Sequence, residues 1–179
     1  MLSLPVKVLS IDPALRNTGF AVLERQFTSG RKPIYKAITY GVIENGRHIR
    51  QSMCLVAIRE QLREVIEEHQ PEVCAVEGVI YVQSFKTAIT MGAARGAAIL
   101  SAAEFGLEIF EYAPKRVKQA VVGKGAADKQ QVAFMIRALL GLKETPPHDA
   151  ADALAIGLAH FYEHDPSRVT ALADKPGAI

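Results

Sequence analysis

The sequence predicts an α/β fold: one mixed five-stranded sheet with helices on both faces. Three observations predict it. β-Rich runs joined by short turns fill the chain up to residue 43. From about residue 50 the apolar positions switch to helical spacing. Two short apolar runs, 72–79 and 107–112, then alternate with helical stretches, the pattern of strands joined by helical crossovers.

Residues 6–11 (VKVLSI) read as a strand buried on both faces, and 18–25 as a second strand. The connection holds Pro13, Asn17 and Gly19, which suit a hairpin. Residues 26–32 (QFTSGRK) read as another turn, and 34–43 (IYKAITYGVI) complete a three-stranded meander. Across 50–69, Leu55, Ile58, Leu62, Val65 and Ile66 recur at helical spacing opposite a charged face, and Pro71 ends that helix. Residues 72–79 (EVCAVEGV) form an apolar strand with an embedded carboxylate, Glu77. A long Ala- and Gly-rich helix covers 84–105. Its Gly92 and Gly96 share a face and predict close helix packing or a dimer contact. The fifth strand is 107–112. A helix over 114–122 has Pro114 in its first turn. Asp128 and Gln131 make a capping box for a helix over 130–140, which Gly141 ends. The last helix is 148–162. Residues 164–179, with Pro, Gly and scattered charge, read as a flexible tail, leaving 1–163 as one domain.

The bulk numbers bound the function. With 49% hydrophobic and 22% charged residues, the 179-residue chain can bury a real core. A net charge of +2 does not announce a nucleic-acid partner, so any basic surface must be local. Cys54 and Cys74 form no CxxC pair and read as buried, reduced thiols in a reducing cytoplasm. The N-terminus lacks a signal-peptide pattern, and no apolar run reaches the ~18–20 residues of a membrane span.

The carboxylates carry the chemistry. Asp12 ends the first strand and Glu77 lies toward the end of the fourth. In a mixed sheet those strands can be neighbours, with both acids at one edge. The last helix opens HDAADALAIG, so Asp149 and Asp152 share a face on its first turns, where the helix dipole favours anions. Taken singly, Asp12 reads as a turn cap, Asp149 as a helix cap and Asp152 as a first-turn acid; a buried Glu77 is harder to dismiss. Four unpaired carboxylates in one place would repel strongly. Hard divalent cations remove that repulsion, and oxygen-only ligation points to Mg²⁺ or Mn²⁺ rather than zinc. Two such ions ~3.5–4 Å apart suit phosphodiester hydrolysis.

The segments SIDPALRNTGFAV, AVEGV, GAARGAAI, EYAPKRVKQAVVGKGAADKQQV and HDAADALAIG together resemble the RuvC family, the bacterial Holliday-junction resolvases. The resemblance spans roughly residues 5–162, in the family's order and spacing. It implies a ribonuclease-H-like fold and a homodimer. It also implies a Mg²⁺-dependent endodeoxyribonuclease of recombination and repair that nicks a four-way DNA junction symmetrically. By motif position the metal-binding and catalytic acids are Asp12, Glu77, Asp149 and Asp152, with two Mg²⁺ per site and Mn²⁺ as a substitute. Lys118 and Lys129 match family lysines near the scissile phosphate, with Lys118 placed to stabilise developing charge. The RuvA–RuvB branch-migration complex is the implied partner, and the cytoplasm the implied compartment.

Three departures stand out. Ala14 occupies a position that is usually glycine, which predicts a strained turn if its φ is positive. Where the family often has an aromatic wedge, this chain has Ile80 followed by Tyr81, so Tyr81 and Phe85 are the candidates to stack on an unpaired base. His148 precedes the first acid of the last helix. It is a candidate accessory to the metal, against the simpler reading of a helix-start histidine. For the DNA surface, Lys115, Arg116, Lys118, Lys124 and Lys129 fall within fifteen residues around a glycine loop, enough to neutralise several phosphates if they are not merely a solvated face. Arg95 is a further DNA-contact or structural candidate.

Other readings predict different features. A YqgF-like RNA-processing nuclease would share the first hairpin but not the DAADALA helix. A sugar-kinase-like ATPase would need a second phosphate loop. A non-catalytic junction-binding protein would have lost an acid, and all four are present.

Overall fold

In the computed structural model, residues 7–27, 33–79 and 84–165 are described. They form strands β1 (Lys7–Asp12), β2 (Asn17–Gln26), β3 (Ile34–Glu44), β4 (Val73–Glu77) and β5 (Glu108–Tyr112). The helices are α1 (Gln51–His69), α2 (Phe85–Ala103), α3 (Pro114–Val122), α4 (Lys129–Leu140) and α5 (His148–Glu163). The sheet order is β3-β2-β1-β4-β5. β1–β2 and β2–β3 pair antiparallel, while β1–β4 and β4–β5 pair parallel. The predicted mixed sheet is therefore present, with β1 at its centre.

β1 is buried on both sides because helices cover both faces. Leu9 and Ile11 point into a cluster with Ile58, Leu62 and Ile66 of α1 and Ala94, Ala98 and Ala102 of α2. Val8 points the other way, into a cluster built from α3, α4 and α5. This two-sided burial produces the unbroken apolar run that a one-sided strand would lack.

Local signals set the helix ends. α1 stops at Gln70, whose φ of 51° makes it the one left-handed non-glycine among the described residues, and Pro71 follows. The Ser84 side chain caps α2, and the Asp128–Gln131 capping box opens α4. The turn after Asp12 departs from expectation: Ala14 does not have positive φ. Instead its N–H donates to the Thr18 hydroxyl, which donates back to the Ala14 carbonyl at 2.6 Å. An ordinary turn tied by a side chain explains why alanine is tolerated there.

α5 lies nearly flush with the sheet. Ala150, Ala151, Ala153, Ala155 and Ala159 are all buried. A Cβ at Gly157 would sit 2.5 Å from Leu23 Cδ1 and 2.9 Å from Ser10 Oγ. Gly92 and Gly96 of α2 behave differently: a Cβ at either would meet nothing within 4 Å. Among the described residues, they admit no neighbouring backbone.

Past α5, the His164 ring stacks on His160 at 4.3 Å, and buried Asp165 accepts from the Tyr35 hydroxyl at 3.3 Å. Both residues are packed although they begin the expected tail; 166–179 lie outside the described residues. His160 is fully buried, and burial pushes its pKa down to about 3, so it stays neutral. Its Nδ1 pairs with the buried Tyr112 hydroxyl at 2.7 Å, joining α5 to β5. Tyr112→Phe is expected to lower the unfolding free energy by about 1–3 kcal/mol, measured by urea denaturation; an unchanged midpoint would show that the pair contributes nothing.

Candidate active site

The parallel register of β1 and β4 places Ile11 beside Val76, so Asp12 and Glu77 leave the sheet side by side at one edge. Side chains alternate along a strand. Asp12 therefore shares the face of Val8, and Glu77 that of Val73 and Ala75, both under α3–α5. The N-terminus of α5 lands on the same edge and brings Asp149 and Asp152.

Carboxylate oxygens of Asp12, Asp149 and Asp152 all lie within 4.8 Å of one another. Glu77 stands one hydrogen bond away, joined to Asp12 through their side chains. Burial first, then the Asp12 charge, push Glu77 up to about 8. Burial first, then Asp152, push Asp12 up to about 6. The pair therefore shares a proton near neutrality, with Glu77 as the donor. Asp152 is also raised by burial, against the pull of Lys129. The site is thus short of positive charge, and its donors are all oxygens. Both properties fit a hard divalent cation.

The basic residues divide. Lys129, the first residue of α4, sets its Nζ 3.5 Å from Asp152 and 3.9 Å from Asp149. Burial alone would lower its pKa, but those two acids outweigh this and raise it. Lys118 on α3 is near enough to favour the ionised form of Asp152. Lys115 lies along the glycine loop, where a Cβ at Gly125 would come 2.7 Å from its Cγ, and Lys124 is exposed in that loop. Arg116 is engaged elsewhere: its Nε donates to Glu163 at 2.5 Å. Arg95 pairs with Glu111 of β5. His148 is exposed and is not among the three clustered acids. Phe85 opens α2 and is 90% exposed. Tyr81 and Ile80 lie outside the described residues.

Sequence reasoning missed the support behind Glu77. Glu111 packs against Gly78, whose N–H donates to the Tyr112 carbonyl, and Arg95 holds Glu111 from α2. The signal was present as EYAP and AARG, but nothing in their spacing shows that they meet.

A family model described as crossover junction endodeoxyribonuclease RuvC matches residues 8–160. The chain belongs to the RuvC family. The RuvC of Akkermansia muciniphila is 55% identical over 161 residues, covering 90% of this chain and 93% of that protein. The RuvC of Caldicellulosiruptor saccharolyticus is 42% identical over 157 residues, covering 87% and 92%. The structure of T. thermophilus RuvC in complex with Holliday junction substrate is 30% identical and superposes with a TM-score of 0.82 over 97% of this chain and 99% of that one. The fold is the ribonuclease-H-like fold that the resemblance implied, and the chain has the fold and family of a crossover junction endodeoxyribonuclease.

The raised carboxylates set a pH dependence. The folded chain holds protons on Asp12 and Glu77 that the unfolded chain releases near the ordinary carboxylate range. The metal-free protein should therefore lose stability as pH rises from about 4 to about 8. A divalent cation binds the ionised form, so the Mg²⁺-induced gain in Tm should be larger near pH 9 than near pH 6. Asp12→Asn should flatten that difference. Equal gains at both pH values in the native chain would contradict the shared proton.

Proposed function

We propose that this chain resolves four-way (Holliday) DNA junctions by paired, symmetric nicks, through metal-assisted phosphodiester hydrolysis, in homologous recombination and repair. The observation that carries this is the convergence of carboxylates from β1, β4 and α5, with Lys118 and Lys129 beside them, in a chain of the RuvC family. The T. thermophilus RuvC, a relative with the same fold, has a Holliday junction as its substrate.

Asp12, Glu77, Asp149 and Asp152 would hold the cation, read as Mg²⁺, two per site, with Mn²⁺ as a substitute. When bound, the cation would supply Lewis-acid chemistry for water activation and leaving-oxygen stabilisation. Asp12 and Glu77 give up their shared proton when they bind it. Lys129 offsets the charge of Asp149 and Asp152 and is placed to contact a phosphate. Lys118 supplies a second positive charge for the developing negative charge of the reaction. Lys115 and Lys124 extend the basic surface along the glycine loop, and Phe85 is placed to stack on an unpaired base. Tyr81 is a further candidate for that stacking role.

Symmetric nicks need two sites related by a two-fold axis. On α2, Phe85, Ile89, Gly92, Gly96 and Leu100 lie along one exposed side, with Ile89 69% and Leu100 50% exposed. This apolar stripe supports a homodimer built through α2, with glycines that allow close helix approach. Two buried free thiols suit the cytoplasm. Family membership supports partnership with the RuvA–RuvB complex.

A synthetic four-way junction tests the proposal. Mg²⁺ should produce paired symmetric nicks, and chelator or Asp12→Asn should abolish them. Lys118→Ala should slow cleavage about 10²–10³-fold. Binding should fall steeply with salt, with Lys124→Ala lowering the log–log slope by about 1. Binding without any metal-dependent cleavage would favour the junction-binding reading. Separately, Leu100→Asp should yield a monomer by light scattering that no longer makes paired nicks; a variant that stays dimeric would move the interface away from α2.

A further inference from the structure

We propose that Gly19 is a positioning residue for the metal site: its missing side chain sets the distance between Asp149 and Asp12. The inference rests on the reading of these acids as cation ligands.

Gly19 stands directly opposite Asp12 in the β1–β2 ladder. A Cβ there would overlap the backbone carbonyl oxygen of Asp149 and lie 2.6 Å from its carbonyl carbon, inside the 3.0 Å that real Cβ atoms respect. The Ala150 nitrogen would be at 3.4 Å. These are backbone atoms of the first turn of α5, so no rotamer change relieves the overlap. The requirement is for space and not for an unusual conformation, because Gly19 is not among the positive-φ glycines.

The overlap can be relieved in one direction only. β2 is an inner strand: Gly19 is paired with Asp12 on one side and with Val42 on the other. The strand cannot retreat without breaking both ladders. Farther along, α5 is seated at Gly157 against Ser10 and Leu23, and its body is buried. A side chain at position 19 therefore tilts the N-terminal turn of α5 away from the sheet and draws Asp149, then Asp152, away from Asp12. Lys129 reaches both acids from α4, an element that the overlap does not touch. Gly19 touches no substrate or metal; it acts through the helix that carries two ligands.

The experiment measures the Mg²⁺ concentration at half-maximal Tm shift for the full-length chain, Gly19→Ala, Asp149→Glu and the double variant. Junction binding in chelator is measured alongside. Gly19→Ala should raise the Mg²⁺ midpoint by about 10-fold or more and leave metal-free junction binding within about twofold. Asp149→Glu alone should also raise the midpoint, because its longer side chain overfills a fixed gap. Combined with Gly19→Ala it should bring the midpoint back below that of either single variant, since the extra methylene spans the widened gap. Mere destabilisation would not be rescued in this way. A Gly19→Ala midpoint equal to the native one overturns the proposal. Should Gly19→Ala not fold, an unchanged midpoint in Asp149→Glu does so instead, because it would show a spacing that is not fixed. Absence of any Mg²⁺ shift in the native chain would instead overturn the cation reading on which the proposal rests.

Discussion

The seating of α5 against β1 and β2 is the constraint on which the rest of the structure depends. Two of the four acids ride on this helix, and the other two end central strands. They can meet only if helix and sheet approach more closely than large side chains permit. The alanines of DAADALAIGLA, with Gly157 and Gly19, remove the side chains that would keep them apart. Such a helix buries less apolar area per residue than a leucine-rich one. The apolar load is carried instead by Leu154, Ile156, Leu158 and Phe161 in the same helix and by Val117, Val132 and Ile136 from α3 and α4.

That close approach concentrates negative charge where water is largely excluded. A carboxylate in such a place either takes up a proton or finds a cation. Here both responses operate. Burial and mutual repulsion raise the pKa values of Glu77 and Asp12, favouring proton uptake, and Lys129 leans over Asp149 and Asp152. The arrangement is unfavourable for the isolated chain and favourable for binding a divalent ion, because the ion relieves a repulsion that the fold has already imposed. The capping box that starts α4 fixes where Lys129 begins, so a local backbone rule serves the electrostatics of the site.

α2 links two tasks. Its inner face, through Ala94, Ala98 and Ala102, packs in the core with α1. Its outer side exposes an apolar stripe of Phe85, Ile89 and Leu100, the face proposed above for a second copy. Between them Arg95 reaches Glu111, which packs on Gly78 next to Glu77. Arg95, which the sequence left open between a DNA contact and a structural role, is thus part of the frame behind Glu77. Arg116 has a comparable role, tying α3 to the end of α5 through Glu163.

Much of this was legible in the chain. Periodicity and turn chemistry determined the element order, because apolar spacing and Pro, Gly or Asp boundaries are local properties. Glu77 was legible because a carboxylate inside a buried strand lacks an ordinary structural excuse, Asp12 because it ends an apolar strand that can neighbour that of Glu77, and Asp149 with Asp152 because three-residue spacing shares a helix face. Tertiary structure alone decided which of these meet. Parallel pairing of β1 with β4 put Asp12 beside Glu77, and the landing of α5 on Gly19 brought Asp149 within reach. It also separated Lys129 and Lys118, which face the acids, from Arg95 and Arg116, which are held in ion pairs; along the sequence all four are simply positive charges. The reason is physical. Spacing along one element is set by covalent geometry and written in the sequence, whereas the distance between elements depends on which side chains are missing at the contact, and a glycine's meaning appears only with the neighbour it admits.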